Sequence, residues 1–430
     1  METTKNMLKR IFLISIITVI IAFMTISCGA DYIFSPYYKK SDKDNNYTLN
    51  VEDQKMLDVN FSIASGYQNG GAGTGKVYRN PSFLGSSYGY LYAFYEYRVA
   101  GITNEIGVNG ENKCDIQIKK SSAGKSFEFW GTTIGKSATS GTNSHGSPVS
   151  FYANNKDLVL LSSSGMGFST NNNGESKISV SKSLDNGEKW SDWKDIDDSV
   201  FNNLKSQGFD RFYSVSGNGI TLSDGTLACI LDIGSTNNKA SSPNKTVKHL
   251  GFAILYSTDN GESWKLGGIH KYSTEDSYKN AKIIARTSDK SLLIAASPKN
   301  SGQEIKWFKT SSLNSSINEW NEGAKIKSNG GKVEGTKLRG GDRIILTYAD
   351  ETGKLWIATS IDNGKTFDAY KKELYNEMGD ESTVRGLMDG TMVFIYGFSI
   401  SKNVFSYNLS YKRVSVNWLT DGVEDYYVGW

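Results

Sequence analysis

The sequence predicts an all-β chain of many short antiparallel strands, and three observations carry that prediction. Short runs rich in β-branched and aromatic residues recur along it: YLYAFYEYRV (90–99), DLVLLSSS (157–164), TLACILDI (226–233), LGFAILYS (250–257), RIILTYAD (343–350) and TMVFIYGF (391–398). Clusters of Gly, Asn and Asp separate them, with 44 Gly against 5 Pro in 430 residues. Helical periodicity is scarce throughout. With 38% hydrophobic residues the chain can bury a large core, which argues against wholesale disorder. Large all-β barrels and propellers run this long as one unit, so length does not require several domains.

The first element is an export signal. Lys5, Lys9 and Arg10 precede an apolar stretch over 11–24, and Cys28 follows Thr25, Ile26 and Ser27. A basic start, a short apolar core and small residues before a cleavage point describe a secretory signal over 1–27. The stretch is short for a membrane span of about 20 residues. It resembles a bacterial lipoprotein signal, with Thr25 where Leu is usual. That resemblance makes Cys28 the lipidated N-terminus and places the mature chain in the cell envelope, held to a membrane by lipid. Residues 28–60 are polar and read as a tether. From residue 61 to 430 no long polar linker appears, which predicts one folded unit.

Within that unit one motif recurs after strand runs. It reads SLDNGEKW from Ser183 to Trp190, STDNGESW from Ser257 to Trp264, and SIDNGKTF from Ser360 to Phe367. A degenerate copy lies between Ser121 and Phe127. Asn-Gly supplies the positive φ of a tight turn, Ser and Asp hydroxyl and carboxylate oxygens can accept nearby N–H groups, and the last aromatic can pack beneath. The expected structural set is Asp185, Gly187, Trp190, Asp259, Gly261, Trp264, Asp362, Gly364 and Phe367. These are Asp-boxes, as found in the sialidase (neuraminidase) superfamily. The resemblance implies a six-bladed β-propeller of four-stranded antiparallel blades, with about one box per blade and some blades lacking it. Asp-boxes occur in other propellers too, so they speak for fold more than reaction.

Further segments resemble sialidase segments in the family's order. Tyr78-Arg79-Asn80-Pro81 is similar to the F/Y-R-I-P that carries the first of three arginines clamping the substrate carboxylate. The strand ending in Arg98 is similar to the one carrying a further active-site Arg. The segment from Ser216 to Leu227 and the closing stretch from Leu409 to Leu419 also match. The family hydrolyses terminal sialic acid. Bidentate Arg groups suit its planar carboxylate, a Tyr serves as nucleophile, a Glu polarises it, and an Asp is the general acid and base.

The chain departs from that set. Near the general-acid register Glu105 is the nearest carboxylate. The Glu that polarises the nucleophile has no counterpart in register near Asn280. The second and third arginine registers hold Ser297 and Gly353-Lys354, and the Tyr register falls on Glu381. The expected catalytic set is therefore Arg79, Arg98, Glu105 and Glu381, with Arg79, Arg98, Lys354 and Arg385 as substrate-binding residues. The expected partners are sialylated or other glycans. The alternative is a propeller that binds glycan or protein without catalysis.

Several classes are excluded by composition. A net charge of +3, falling to +1 once the signal is removed, gives no electrostatic footprint for nucleic acid. The three His residues lack zinc-ligand spacing, and neither a metal nor a cofactor is expected. Cys114 and Cys229 are expected as buried thiols.

Overall fold

A computed structural model describes residues 59–423 apart from 66–75, 86–89, 100–105, 122–126, 128–130, 172–173, 240–245, 339–341, 376–378, 388–390 and 402–403. Its strands form six antiparallel blades around an axis, each with four principal strands. Blade I comprises Lys76–Gly85, Leu91–Val99, Cys114–Ser121 and Thr132–Thr133. Blade II comprises His145–Tyr152, Leu158–Gly165, Ser176–Ser183 and Lys194–Asp195. Blade III comprises Arg211–Ser214, Leu227–Gly234, Gly251–Ser257 and Lys265–Lys271. Blade IV comprises Tyr278–Arg286, Leu292–Pro298, Lys306–Thr310 and Asn318–Glu319. Blade V comprises Glu334–Lys337, Ile344–Ala349, Leu355–Ser360 and Tyr370–Tyr375. Blade VI takes three strands from the end of the chain, Gly379–Gly386, Thr391–Ser401 and Val404–Ser415. Its fourth, Val59–Ser65, comes from the beginning. Val59 pairs with Arg413 and Ser65 with Asn408, so the two ends of the fold close the ring. Cys28 and the rest of the signal and tether up to residue 58 lie outside the described residues.

The apolar runs have a physical reason. A strand alternates its side chains between two faces, and here both faces meet a neighbouring blade. In Leu292–Pro298, Leu292 and Ile294 pack against blade III while Leu293 and Ala295 pack against blade V. Six such apolar interfaces, one between each pair of adjacent blades, make up the core. Cys114 and Cys229 are buried thiols, as expected.

The antiparallel order fixes two faces. First and third strands of a blade run the same way, so all first strands begin at one end of the axis, termed the front, and end at the back. The turns after third strands therefore lie at the back, and the three Asp-boxes sit there, in blades II, III and V. In each box the Gly N–H donates to the Ser hydroxyl at 2.8–2.9 Å. The Ser hydroxyl reaches Asp Oδ1 at 2.7–2.9 Å. That oxygen accepts the N–H four residues on at 2.8–3.0 Å. Asn186, Asn260 and Asn363 take φ of 59, 57 and 62°. The boxed carboxylates are thus spent on their own turns.

Candidate functional site

The front end of the axis is built from bulges in the first strands. Asn80, Ser147 and Asn280 have φ of 56, 50 and 53°, each at a shift in strand register. The bulge turns a backbone N–H out of the ladder, and a buried carboxylate of the preceding blade accepts it. Asn80 N donates to Glu381 Oε2 at 3.0 Å, Ser147 N to Glu96 Oε1 at 2.5 Å, and Asn280 N to Asp232 Oδ2 at 2.6 Å. Asp232 also accepts from Tyr213 Oη and Ala281 N, and its Oδ2 lies 3.2 Å from His249 Nδ1. These acids clip one blade to the next.

Charged side chains gather around the clips. Arg79 Nε donates to Glu381 Oε1 at 3.3 Å, and Lys332 Nζ lies 3.8 Å from Glu381 Oε2. Lys332 also donates to Ser216 Oγ at 2.7 Å and to Asn80 Oδ1. Lys282 Nζ lies 3.5 Å from Glu334 Oε1 and donates to the carbonyls of Val215, Ser216 and Asn218 at 3.1–3.3 Å. Glu334 in turn accepts from Asn218 N at 2.8 Å. Burial pushes the Glu334 carboxyl up, against the pull of Lys282 and the Asn218 N–H. In blade I, Arg98 donates to Glu96, and both are fully buried. Residues 106–108 lie over that pair; a Cβ on Gly107 would stand 2.6 Å from Arg98 Nε.

The structure brings Arg79 and Glu381 together and places Arg98 in the neighbouring pair with Glu96. Arg79 and Glu96 face each other across the first two strands of blade I. Lys354 lies on a front-face turn of blade V, its Nζ 3.4 Å from Glu373. Arg385 is not with them. It stands at the back end of its strand and lines an axial cavity there. Glu105 lies outside the described residues. Sequence reasoning missed Lys282, Lys332, Glu334, Glu96 and Asp232. Three of these had a signal, a charge set inside an apolar strand run: Glu96 in 90–99, Asp232 in 226–233 and Lys282 beside Ile283 and Ile284. Lys332 and Glu334 sit among Gly and polar residues and had none.

The arrangement is a closed polar floor. Four cations (Arg79, Arg98, Lys282, Lys332) lie among four buried carboxylates (Glu96, Asp232, Glu334, Glu381). The side chains of Arg79 and Lys332 keep 9% of their surface exposed, while Glu381 beneath them keeps 1%. What meets solvent is positive. Among the described residues no group of three or more His, Cys, Asp or Glu could hold a metal ion.

The family model for a BNR repeat-like domain matches residues 97–297. No curated protein matches. Among solved structures, the chain is similar to the Hadza microbial sialidase Hz136, at 16% identity and a TM-score of 0.63, over 80% of this chain and 66% of that one. It is also similar to the intramolecular trans-sialidase from Ruminococcus gnavus in complex with oseltamivir carboxylate, at 15% identity and 0.60, over 85% and 99%. A leech intramolecular trans-sialidase complexed with 2,7-anhydro-Neu5Ac aligns at 16% and 0.59, over 84% and 71%.

Proposed function

We propose that this chain, a six-bladed BNR-repeat propeller of the sialidase fold, works on terminal sialic acid or a related keto-acid sugar of glycoconjugates through the front end of its axis. The observation that carries the reading is the order of charge: Arg79 and Lys332, largely buried, keep more of their surface open to solvent than Glu381 does. A sugar bearing a carboxylate on its anomeric carbon offers the planar anion that Arg pairs with best, with Lys as a second point charge. Arg98 contributes by holding Glu96, which fixes the bulge at Ser147.

The reading rests on recognition. A second reading, cleavage, is favoured by one observation: Glu381 stands in the register where the sialidase family carries its Tyr, beside the same two cations. A carboxylate nucleophile would face the sugar's own carboxylate, and Arg79 and Lys332 would screen that repulsion.

Titration of the full-length protein in mild detergent with N-acetylneuraminic acid, against galactose as neutral control, tests recognition. The expected result is saturable binding of the acid only, weakened at least about tenfold in Lys332→Gln, as expected for loss of a charge-assisted contact. Thermal unfolding recorded alongside separates lost binding from lost fold. A protein silent towards every sialylated glycan on an array sinks the reading. Release from a fluorogenic sialoside between about pH 4 and 8 reads cleavage, and its abolition in Glu381→Gln would assign the nucleophile.

We propose with this that the chain is exported and lipid-anchored through Cys28. Labelled fatty acid should enter the wild type and not Cys28→Ala. Equal labelling of both would overturn the anchor.

A further inference from the structure

The segment that opens the run from Ser216 to Leu227 crosses the axis of the propeller. Gly217 and Asn218 pair in parallel with Val149 and Ser150, in the first strand of blade II. The Gly217 carbonyl accepts the Ser82 hydroxyl at 2.7 Å, and Asn218 Oδ1 accepts the Phe83 N–H at 2.9 Å, both from the first strand of blade I. Asn218 Nδ2 donates at 2.8 Å to the carbonyl of Val384, in the first strand of blade VI. Lys282 and Glu334 reach the same segment from the first strands of blades IV and V. Residues 216–218 themselves follow Arg211–Ser214, the first strand of blade III. They thus meet the first strand of each of the five other blades and form a hub at the axis.

The hub has no slack. Gly217 has φ of 123°, and a Cβ there would overlap Glu334 Oε2 and stand 2.8 Å from Lys282 Nζ. A buried ion pair is weak ground for stability, since well-packed apolar side chains can serve as well. What this pair adds is direction. Lys282 donates to three carbonyls of residues 215–218 while Glu334 accepts the Asn218 N–H, so together they fix the path of the backbone. Ser216 is the part of the hub next to the front site. Its hydroxyl accepts from Lys332 Nζ at 2.7 Å and lies 3.4 Å from Asn80 Oδ1, which Lys332 also meets. Ser216 is itself buried.

We infer that Ser216 is a positioning residue: the hub, carried on the Lys282–Glu334 pair, presents its hydroxyl so as to set the Lys332 ammonium for an incoming carboxylate. The inference rests on the recognition proposed above. A lysine ammonium sits on a flexible four-carbon stem, and ordering it beforehand removes part of the entropic cost of binding.

The test is a double-mutant cycle on the full-length protein in mild detergent, titrated with N-acetylneuraminic acid, with thermal unfolding recorded for each variant. Ser216→Ala is expected to weaken binding about fivefold through lost preorganisation. In the Lys332→Gln background the same change is expected to alter affinity by less than about twofold, because a residue that acts through another does not add to its loss. A general loosening of the fold would weaken binding by the same factor in both backgrounds. Glu334→Gln keeps an acceptor for the Asn218 N–H but drops the charge facing Lys282, and it should follow Ser216→Ala in both backgrounds. If that variant does not melt cooperatively, the Ser216 cycle alone decides. Equal factors in the two backgrounds overturn the inference and leave recognition standing. So does wild-type affinity in Ser216→Ala or in a folded Glu334→Gln. A wild type that does not bind the acid reads differently: it removes the recognition reading, and this inference with it.

Discussion

Glu381 has three claimants: Asn80 N–H, the Arg79 guanidinium and the Lys332 ammonium. Removing it would leave two buried cations and a backbone donor without their shared acceptor. Glu381→Ala is expected to cost about 3–5 kcal/mol in urea unfolding, the range for one half of a broken buried pair. A cost near that of an ordinary surface substitution would mean the carboxylate is not holding blades I and VI together. His145 makes a separate prediction. It stacks on Trp193 at 4.6 Å, and burial lowers its pKa to about 4 against the pull of Asp195. Between about pH 6.5 and 4 the unfolded chain takes up a proton that the folded ring refuses, so stability falls as pH drops through that window. His145→Gln should flatten this part of the profile; an unchanged slope would assign it to other groups. At this scale the sequence was half legible. Arg79 declared itself through its Y-R-x-P setting. Its partner lies 302 residues away, and no local spacing reports such a pairing.

Among elements, the Asp-box was the clearest, because the Gly-to-Ser, Ser-to-Asp and N–H-to-Asp bonds that define it close within eight residues. Its packing was not legible. Gly364 has φ of 90°, and a Cβ there would stand 2.6 Å from Leu293 Cδ2, so the box of blade V rests on the second strand of blade IV. Gly364→Ala is expected to cost about 1–3 kcal/mol through overpacking and backbone strain together, read as a lowered denaturation midpoint. The long strands were readable as apolar runs since both their faces are buried. The outermost strands Thr132–Thr133, Lys194–Asp195 and Asn318–Glu319 were not. Two polar residues at an exposed edge carry no periodicity. The front-face bulges were invisible for another reason: Asn80, Ser147 and Asn280 take positive φ without glycine, and their stabilising acceptors come from other blades.

For the molecule as a whole, the resemblance to sialidase segments predicted six blades, and six are present. Closure of the ring by Val59–Ser65 was not read, and the expected tether to residue 60 overlaps the first two residues of that strand. A polar stretch running into a strand gives no mark of where pairing begins. A chain starting at residue 66 lacks the outer strand of blade VI and leaves Val404–Ser415 as an open edge. It is expected to lose its cooperative thermal transition, and a melting curve matching the full chain would show the strand to be dispensable.

That closing strand also bears on how the protein meets mechanical load. A pull on the segment before Val59 enters at the back face and runs along the strand. The hydrogen bonds to Val404–Ser415 lie across that direction. Six residue pairs would have to slide together, where a peeling geometry would part them one at a time. The register shift between Ser62 and Ala64 works like a pawl in that slide, since a bulge cannot move by one residue without losing its fit. A propeller held through that segment, as proposed, and pulled at its front face would be loaded in its strong direction.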